Sequence, residues 1–515
     1  MCGIAGKLDI TSAPERFLIE KMTRIMQHRG PDGEGYFIEG PVALGHRRLS
    51  IIDLEGGRQP MSNENDSIWI TYNGEIYNFL ELRKDLVGKR HRFKTKSDTE
   101  TIVHAYEEYG TRCVEKLRGM FAFGIWDARE KKLLLARDRL GKKPLYYYSD
   151  GKKFVFASEL KAILQDKSIK KEINTKAVAD YLMYNYIPFP ETIFKGIYKL
   201  PPGHFMSVKI VQDVQNSSTD IKQGERLELS VQQYWDIQYN PDYSLSADDW
   251  ALALREKLKE AVKLRLISDV PLGAFLSGGI DSSTIVALMS MVQDTPVKTF
   301  SIGFKEEDFS EIKYAREVAK LFSTEHHEMI VEPDAVEVLP HLAWEFDEPF
   351  ADSSAIPTYY VSKMARQHVT VILSGDGGDE TFAGYRRYLW ANDMHRYDRL
   401  PITLKKILFG IPAALLPEGI KGKGMLTHLS KDPFERYAGL NTFSDESYLK
   451  NVLSKDVLED IKVNSNVNSI NYVFLKKYYD SCKSDDYLTK IQYVDTKTYL
   501  AEDILTKVDR ASMLC

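Results

Sequence analysis

The hydrophobic pattern of the chain changes character roughly halfway along. Up to about residue 210 the apolar and aromatic runs are short, and Gly, Asp, Asn and Pro punctuate them: "GPVALGHRRLSIID", "SIWITYNGEIYN", "GMFAFGIWDARE", "KKLLLARDRLG" and "KPLYYYSDGKKFVFAS". Runs of this kind bounded by turn formers predict strands, with a helix among them at "TETIVHAYEEYG". Strands in close succession predict antiparallel sheets with helices packed on them, an α+β layer arrangement. The polar segment from Val211 to Ser230 has no strong period and predicts a loop or exposed hairpin near a boundary.

Beyond about residue 245 the rhythm becomes helical and alternating. "ALALREKLKEAVKLRL" places Leu254, Leu258, Ala261 and Val262 at helical spacing,. A strand "VPLGAFL" then leads through a Gly-rich turn into a helix "DSSTIVALMSMV". "VKTFSIGF", "EHHEMIV" and "HVTVILSG" follow as strands, interleaved with helices "EIKYAREVAKLFS" and "AIPTYYVSKMARQ". Alternation at this pitch predicts a parallel sheet with helices on both faces, an α/β unit whose ligands bind beyond the C-terminal strand ends. From about residue 390 the pattern is mainly helical. The expected division is residues 2–210, a polar linker or hairpin at 211–245, and 246–515.

Bulk properties narrow the partners without changing that picture. A chain of 515 residues with 43% hydrophobic and 28% charged residues has room for several globular cores,. Its net charge of −5 provides no basic field, so no nucleic-acid partner is expected,. No run reaches the roughly 18 uncharged apolar residues of a membrane span, and no signal-peptide pattern leads the chain. Cys2, Cys113, Cys482 and Cys515 lack metal-type spacing and are too few for a disulfide framework,. A reducing, cytoplasmic setting is therefore expected.

Candidate chemistry concentrates in four places. Cys2 follows the initiator methionine: either it packs as a small hydrophobe, or Met1 is removed and one residue then carries both a thiol nucleophile and an α-amine base. In "FLSGGIDSS", Ser277, Gly278 and Gly279 form a flexible turn between strand and helix whose N–H groups can approach an anion. Ser282 and Ser283 add hydroxyls, and Asp281 suits Mg²⁺ better than phosphate. The turn lacks the lysine of a Walker loop. A later strand ends alike in "VILSGDGGDE", where Ser374, Gly375, Asp376, Gly377, Gly378, Asp379 and Glu380 make a second anion- or metal-competent loop. Between the loops, "FDEPFADSSAIPT" offers Asp347, Glu348, Asp352, Ser353 and Ser354, either to the same site or as a polar loop capping the helix that follows.

These motifs, in this order along one chain, resemble the glutamine-dependent asparagine synthetases. "SGGIDSS" is similar to the pyrophosphate loop of that family, and the N-terminal half resembles its class II glutamine amidotransferase domain. The resemblance implies an N-terminal-nucleophile hydrolase domain of stacked antiparallel sheets, then an adenine nucleotide alpha hydrolase-like domain with a parallel sheet and a helical C-terminal part. It implies Cys2 as the glutamine-hydrolysing nucleophile, with Asn73 and Gly74 of "YNGEIYN" as oxyanion donors. Arg48 of "HRRLSI" would hold the glutamine carboxylate by a two-pronged contact, and Glu75 and Asp98 its ammonium. Leu276, Ile302, Ser374 and Gly375 would contact ATP, and Ser277, Gly278, Gly279, Asp281 and Ser282 its pyrophosphate. Asp281 and Asp379 would hold Mg²⁺, and Asp376 corresponds to an acidic residue needed to form β-aspartyl-AMP. "HRGPDGEG", from His28 to Gly35, matches a family loop and receives no chemical role; "RDRLGKKPLYY", from Arg137 to Tyr147, is expected to be structural.

The implied substrates are glutamine, aspartate and ATP, and the implied assembly is a homodimer. After "ILTKVDRASMLC" the family continues into a Ser-Leu-Glu stretch, an Arg-x-Pro-Phe-Leu-Asp motif and a synthetase-site lysine that have no counterpart here. The expectation is an intact glutaminase half and a synthetase half truncated at its C-terminal end. Two alternatives stand beside this reading: a related amidotransferase acting on another carboxylate, and a non-catalytic regulatory protein on the same scaffold.

Overall fold

The computed structural model describes residues 1–216, 221–305, 311–332, 335–417, 419–444, 446–465 and 472–515. Two six-stranded antiparallel sheets form the first half. One has the order β10–β8–β9–β1–β3–β2, built from β1 (Gly3–Asp9), β2 (Gly33–Glu39), β3 (Val42–Arg48), β8 (Tyr146–Ser149), β9 (Lys153–Ala157) and β10 (Ile197–Lys199). The other has the order β12–β11–β7–β6–β5–β4, built from β4 (Met61–Ser62), β5 (Ile68–Ile76), β6 (Gly119–Asp127), β7 (Lys132–Arg137), β11 (His204–Asn216) and β12 (Ile221–Gln233).

The sheets face each other across a core that joins Ile4, Leu8, Leu44 and Phe156 of the first to Ala122, Trp126, Leu133 and Leu135 of the second. Outside the first sheet, Ile19 and Met22 of helix Arg16–Arg24 pack on Ala5, Ala43 and Val155. Outside the second, helices Phe79–Gly88 and Asp98–Tyr109 pack Leu82, Leu86, Ile102 and Val103 on Ile70, Tyr72 and Phe121. Both faces of each sheet are therefore buried, which explains why these strands read as continuous apolar runs. Each fully buried Leu or Phe contributes roughly 1.5–3 kcal/mol.

The segment read as a loop or hairpin is a hairpin: β11 pairs antiparallel with β12 and with β7, extending the second sheet. Residues 217–220 of that segment lie outside the described residues. Helix Ala247–Leu264, capped by Ser246 and Asp249, opens the second half. There β13 (Leu272–Phe275), β14 (Lys298–Phe304), β15 (Glu325–Val331) and β16 (Val371–Leu373) form a parallel sheet of order β15–β14–β13–β16. The helices Ile280–Val292, Ile312–Leu321 and Ala355–Ala365 fall where the periodicity predicts them. Helix Ala335–Phe346 was not foreseen; it carries Pro340 inside it. Successive strands leave β13 in opposite directions, so a crevice opens beyond its C-terminal end, where such sheets bind ligands.

Candidate functional site

Strand pairing assembles the first cluster. β1 runs antiparallel to β3 with Gly3 opposite Arg47, which brings Cys2 beside Arg48 and Leu49. The Cys2 thiol points at the Leu49 carbonyl, Sγ to O 3.8 Å. β5 supplies Asn73, Gly74 and Glu75, and helix Asp98–Tyr109, capped by Ser97, presents Asp98 from its first turn. Met1, Cys2, Arg48, Gly74, Glu75 and Asp98 line one cavity.

The polar groups of this cavity are only partly satisfied. Asn73 is not on the cavity lining, although its neighbour Gly74 is; its amide is fully buried, and neither its nitrogen nor its oxygen has a hydrogen-bond partner among the described residues. Glu75 Oε1 is likewise buried without a partner. Burial, and then the neighbouring Asp98 carboxylate, push Glu75 up to about 7. Burial also raises Asp98, although the Tyr72 hydroxyl and the Ile76 N–H donate to its Oδ2 at 2.8 and 3.0 Å. Among the described residues neither carboxylate has a salt bridge. Two buried acids without a paired cation favour a positively charged partner.

Arg48 behaves differently from the expected two-pronged clamp. Its Nη1 donates to Leu54 O at 2.8 Å, and its Nη2 to Asp53 O at 2.6 Å and Ile52 O at 3.3 Å. It fixes the loop that walls the cavity, and gripping a carboxylate through both Nη groups requires it to release some of those carbonyls. Burial pushes the Cys2 thiol up, so the thiol needs a base to become a nucleophile,. With Met1 in place the Cys2 nitrogen is an amide and cannot serve. Burial lowers the Met1 amine to about 5, so an amine in this environment is neutral and able to accept a proton at pH 7.

The second cluster stands at the crevice beyond β13. Ser277 N–H donates to Ser282 Oγ at 3.2 Å, the two hydroxyls lie 3.0 Å apart, and Gly279 N–H donates to Ser277 Oγ at 3.2 Å. Gly278 has φ +86°, and a Cβ there would meet the backbone of Tyr314 and Ala315 at 2.6 Å, so only glycine lets the turn pack on the next helix,. Ser301 donates to the Leu276 carbonyl, tying the loop to β14, which also carries Ile302. Ser374 Oγ donates to Asp376 Oδ2 at 2.6 Å in the loop after β16.

The two loops touch: a Cβ on Gly378 would stand 2.5 Å from the Asp281 carboxyl carbon. Burial and then the Asp379 carboxylate raise Asp281 above its ordinary range. A pair of facing carboxylates with hydroxyls and backbone around it is a hard oxygen donor set, and it fits Mg²⁺.

The segment between the loops does other work. Asp352 accepts from the Ser354 N–H and hydroxyl at 2.8 and 2.6 Å at the start of helix Ala355–Ala365, and pairs with Lys507 at 2.9 Å. Glu348 pairs with Lys199 at 2.8 Å, and Asp347 stands 3.7 Å from Arg510. These contacts belong to a buried network joining the halves, which the sequence reading did not find. Arg29, from the loop left without a role, donates from Nε to the Cys2 carbonyl at 3.2 Å and pairs with Glu159 at 3.1 Å and Asp509 at 2.8 Å. Lys143 reaches Asp509 at 2.9 Å, Arg510 reaches Glu159 at 3.0 Å, and His28 reaches Glu345 at 2.8 Å. Burial alone would raise Asp509, but Arg29 and Lys143 hold it well below the usual carboxylate range. Removing one member of such a network leaves a buried charge uncompensated, at a cost of roughly 3–5 kcal/mol. Cys2 is thus one hydrogen bond and one ion pair, both through Arg29, from helix Leu505–Met513.

Known proteins match the chain in both halves. Residues 1–218 match the family model described as glutamine amidotransferase domain, and residues 253–515 match asparagine synthase. Asparagine synthetase [glutamine-hydrolyzing] 1 of Bacillus subtilis is 36% identical over 518 residues, covering 100% of this chain and 78% of that protein. A Methanocaldococcus jannaschii protein provisionally named asparagine synthetase [glutamine-hydrolyzing] 2 is 38% identical over 542 residues, covering 100% of this chain and 98% of its own length. A solved glutamine phosphoribosylpyrophosphate amidotransferase from B. subtilis overlays with a TM-score of 0.32 at 14% identity, covering 73% of this chain and 82% of that one, a likeness too slight to bear on the reading. With both family models matched in order and both relatives aligned over the whole of this chain, the chain belongs to the glutamine-hydrolysing asparagine synthetase family.

Proposed function

We propose that the chain hydrolyses glutamine at Cys2 and uses the ammonia to convert aspartate into asparagine at the ATP site beyond β13. The observation that carries the first half is the buried acid couple Glu75 and Asp98 in the Cys2 cavity, neither with a salt bridge among the described residues, with Arg48 beside it. One substrate matches all of it: an amino acid whose ammonium meets the acids, whose carboxylate meets Arg48, and whose side chain reaches the thiol.

Removal of Met1 frees the Cys2 amine, which takes the thiol proton. The thiolate adds to the glutamine side-chain amide carbon, and the amide oxygen becomes an oxyanion. Asn73 Nδ2, buried without a partner, and Gly74 N–H donate to that oxygen,. The C–N bond then breaks, and the leaving nitrogen takes the proton held by the amine and departs as ammonia. Water cleaves the remaining thioester to glutamate and restores the thiol.

At the second site Leu276, Ile302, Ser374 and Gly375 cradle the nucleotide. Ser277, Gly278, Gly279, Asp281 and Ser282 surround the pyrophosphate, where backbone N–H groups and the start of helix Ile280–Val292 favour an anion,. Asp281 and Asp379 are the residues that would hold Mg²⁺, which when bound screens the phosphate charge and eases departure of pyrophosphate. The aspartate side-chain carboxylate attacks the α-phosphorus, pyrophosphate leaves, and β-aspartyl-AMP forms next to Asp376. Ammonia adds to the activated carbonyl, AMP leaves, and asparagine results. A free carboxylate resists amines; the acyl adenylate does not.

The test is purified protein with glutamine, aspartate and ATP·Mg²⁺, followed by mass. Glutamate, AMP and asparagine rising together support the proposal. Glutamate without AMP or asparagine refutes its second half, and an unchanged glutamine pool refutes its first.

A further inference from the structure

Away from both sites, two histidines and several carboxylates converge on the outer edge of the first half. His91 follows helix Phe79–Gly88, and His104 and Glu107 lie one turn apart on helix Asp98–Tyr109. Glu107 Oε2 stands 2.8 Å from His104 Nδ1 and 3.6 Å from His91 Nδ1, and Glu64 Oε2 stands 4.0 Å from His104 Nδ1. For metal bonds of 2.0–2.1 Å, neighbouring donors in a tetrahedron are roughly 3.3 Å apart, so these separations bracket that spacing.

The groups behind the donors matter as much. His91 Nε2 is backed by Glu108 Oε2 at 3.3 Å, and His104 Nε2 faces Glu100 Oε1 at 3.7 Å. The other oxygen of Glu107 accepts from Asn63 Nδ2 at 2.7 Å, and that of Glu64 from the Arg92 N–H at 3.1 Å. Metal-bound histidines are ordinarily oriented by a carboxylate on the far ring nitrogen; Glu108 fills that place for His91, while Glu100 stands beyond hydrogen-bond reach of His104. His104 is almost wholly buried, and its Nε2 makes no hydrogen bond in the present arrangement. Among the described residues no Arg or Lys pairs with Glu107 or Glu64. The other His–carboxylate group, His28 with Glu159 and Glu345, is different: Arg29, Arg510 and Lys161 already neutralise Glu159.

We propose that His91, His104 and Glu107, completed by Glu64 or water, form a binding site for a borderline divalent metal of the Zn²⁺ class. None of these residues lines the Cys2 cavity, so the site ties helix Asp98–Tyr109 to the chain preceding it without entering the reaction. Imidazole and carboxylate donors favour Zn²⁺ or Co²⁺ over Mg²⁺, which prefers oxygen ligands and retains its waters.

The experiment titrates the full chain with Co²⁺ and then displaces it with Zn²⁺. The expected result is one equivalent of Co²⁺ with the visible bands of a low-coordinate nitrogen–oxygen site and no thiolate charge-transfer band. Zn²⁺, but not excess Mg²⁺, should displace it and raise the melting temperature. His91→Ala and Glu107→Gln should each weaken binding by roughly a hundredfold or more. Both variants should keep the metal-free melting temperature and the glutaminase rate, which separates loss of a ligand from loss of the fold. Binding of equal affinity in these variants, or a spectrum dominated by thiolate, would overturn the proposal, as would the absence of stoichiometric binding.

Discussion

The two sites of this molecule are built on opposite plans. The Cys2 cavity lies among strands of a four-layer sandwich, and the fold leaves the Asn73 amide and a Glu75 oxygen buried and unpaired. Each such group costs about 1–3 kcal/mol, so the sandwich core carries a strained pocket in advance of its ligand. The crevice beyond β13 is open, and most of its hydroxyls pair within their own loops, Ser277 with Ser282 and Ser374 with the Asp376 carboxylate, while Ser283 Oγ is buried without a partner. Its tension is at Asp281, raised first by burial and then by the Asp379 carboxylate. On the proposed reading the first site holds its acids in place before its substrate arrives, with Arg48 alone having to release backbone carbonyls; the second is completed by the charge of what it binds. A preorganised pocket places its energy in the transition state, whereas an open pair of loops can admit and release a large polyanion.

The sharpest way to separate the plans is Cys2→Ala. It should lower glutamine hydrolysis by roughly 10³-fold or more, while asparagine formation from added ammonium salt and the melting temperature stay near wild type. If glutaminase survives, the nucleophile is elsewhere and the comparison fails. Asn73→Ala comes next: loss of an oxyanion donor should reduce kcat for glutamine by about 10²–10³-fold with KM little changed. Because the amide has no partner to leave stranded, stability should not fall, and a large drop in melting temperature would show that Asn73 is a packing residue instead.

Asp281→Asn reverses the pattern. AMP formation should drop by roughly a hundredfold at fixed Mg²⁺, glutaminase should persist, and the free protein should become slightly more stable because a like-charge contact is relieved. A parallel loss of glutaminase would argue against two separable sites. The smallest effect concerns Glu75. With its pKa near 7, it is protonated and neutral below that pH and cannot hold an ammonium, so KM for glutamine should rise as pH falls through about 7,. Glu75→Gln should raise KM about tenfold at high pH and flatten that dependence. A pH profile unchanged by this variant removes Glu75 from glutamine binding.

What the sequence disclosed depended on whether the relevant residues were neighbours in the chain. The parallel sheet was legible because each strand and helix carries its own periodicity, and the Ser/Gly/Asp loops were legible because they sit directly at the ends of β13 and β16. The Cys2 cluster could be read only through family resemblance, since Cys2, Arg48, Asn73 and Asp98 come from four separate elements. The interface network escaped entirely: Arg29 and Asp509 are 480 residues apart, and Arg29 and Glu159 are 130 apart. Nothing in the local pattern marks a charge as buried, and the loop that starts at His28 and Arg29 matches a family loop without disclosing a role for either. Helix Ala335–Phe346 escaped for a local reason, the proline within its span,.

That network also sets the account's central claim, that the two unlike sites work as one enzyme. The most direct measurement supplies glutamine labelled in its amide nitrogen together with aspartate, ATP·Mg²⁺ and an excess of unlabelled ammonium. Nitrogen released at Cys2 and passed within the molecule predicts asparagine carrying the label in step with glutamate formed. Unlabelled asparagine, or glutamate accumulating without asparagine, would contradict it.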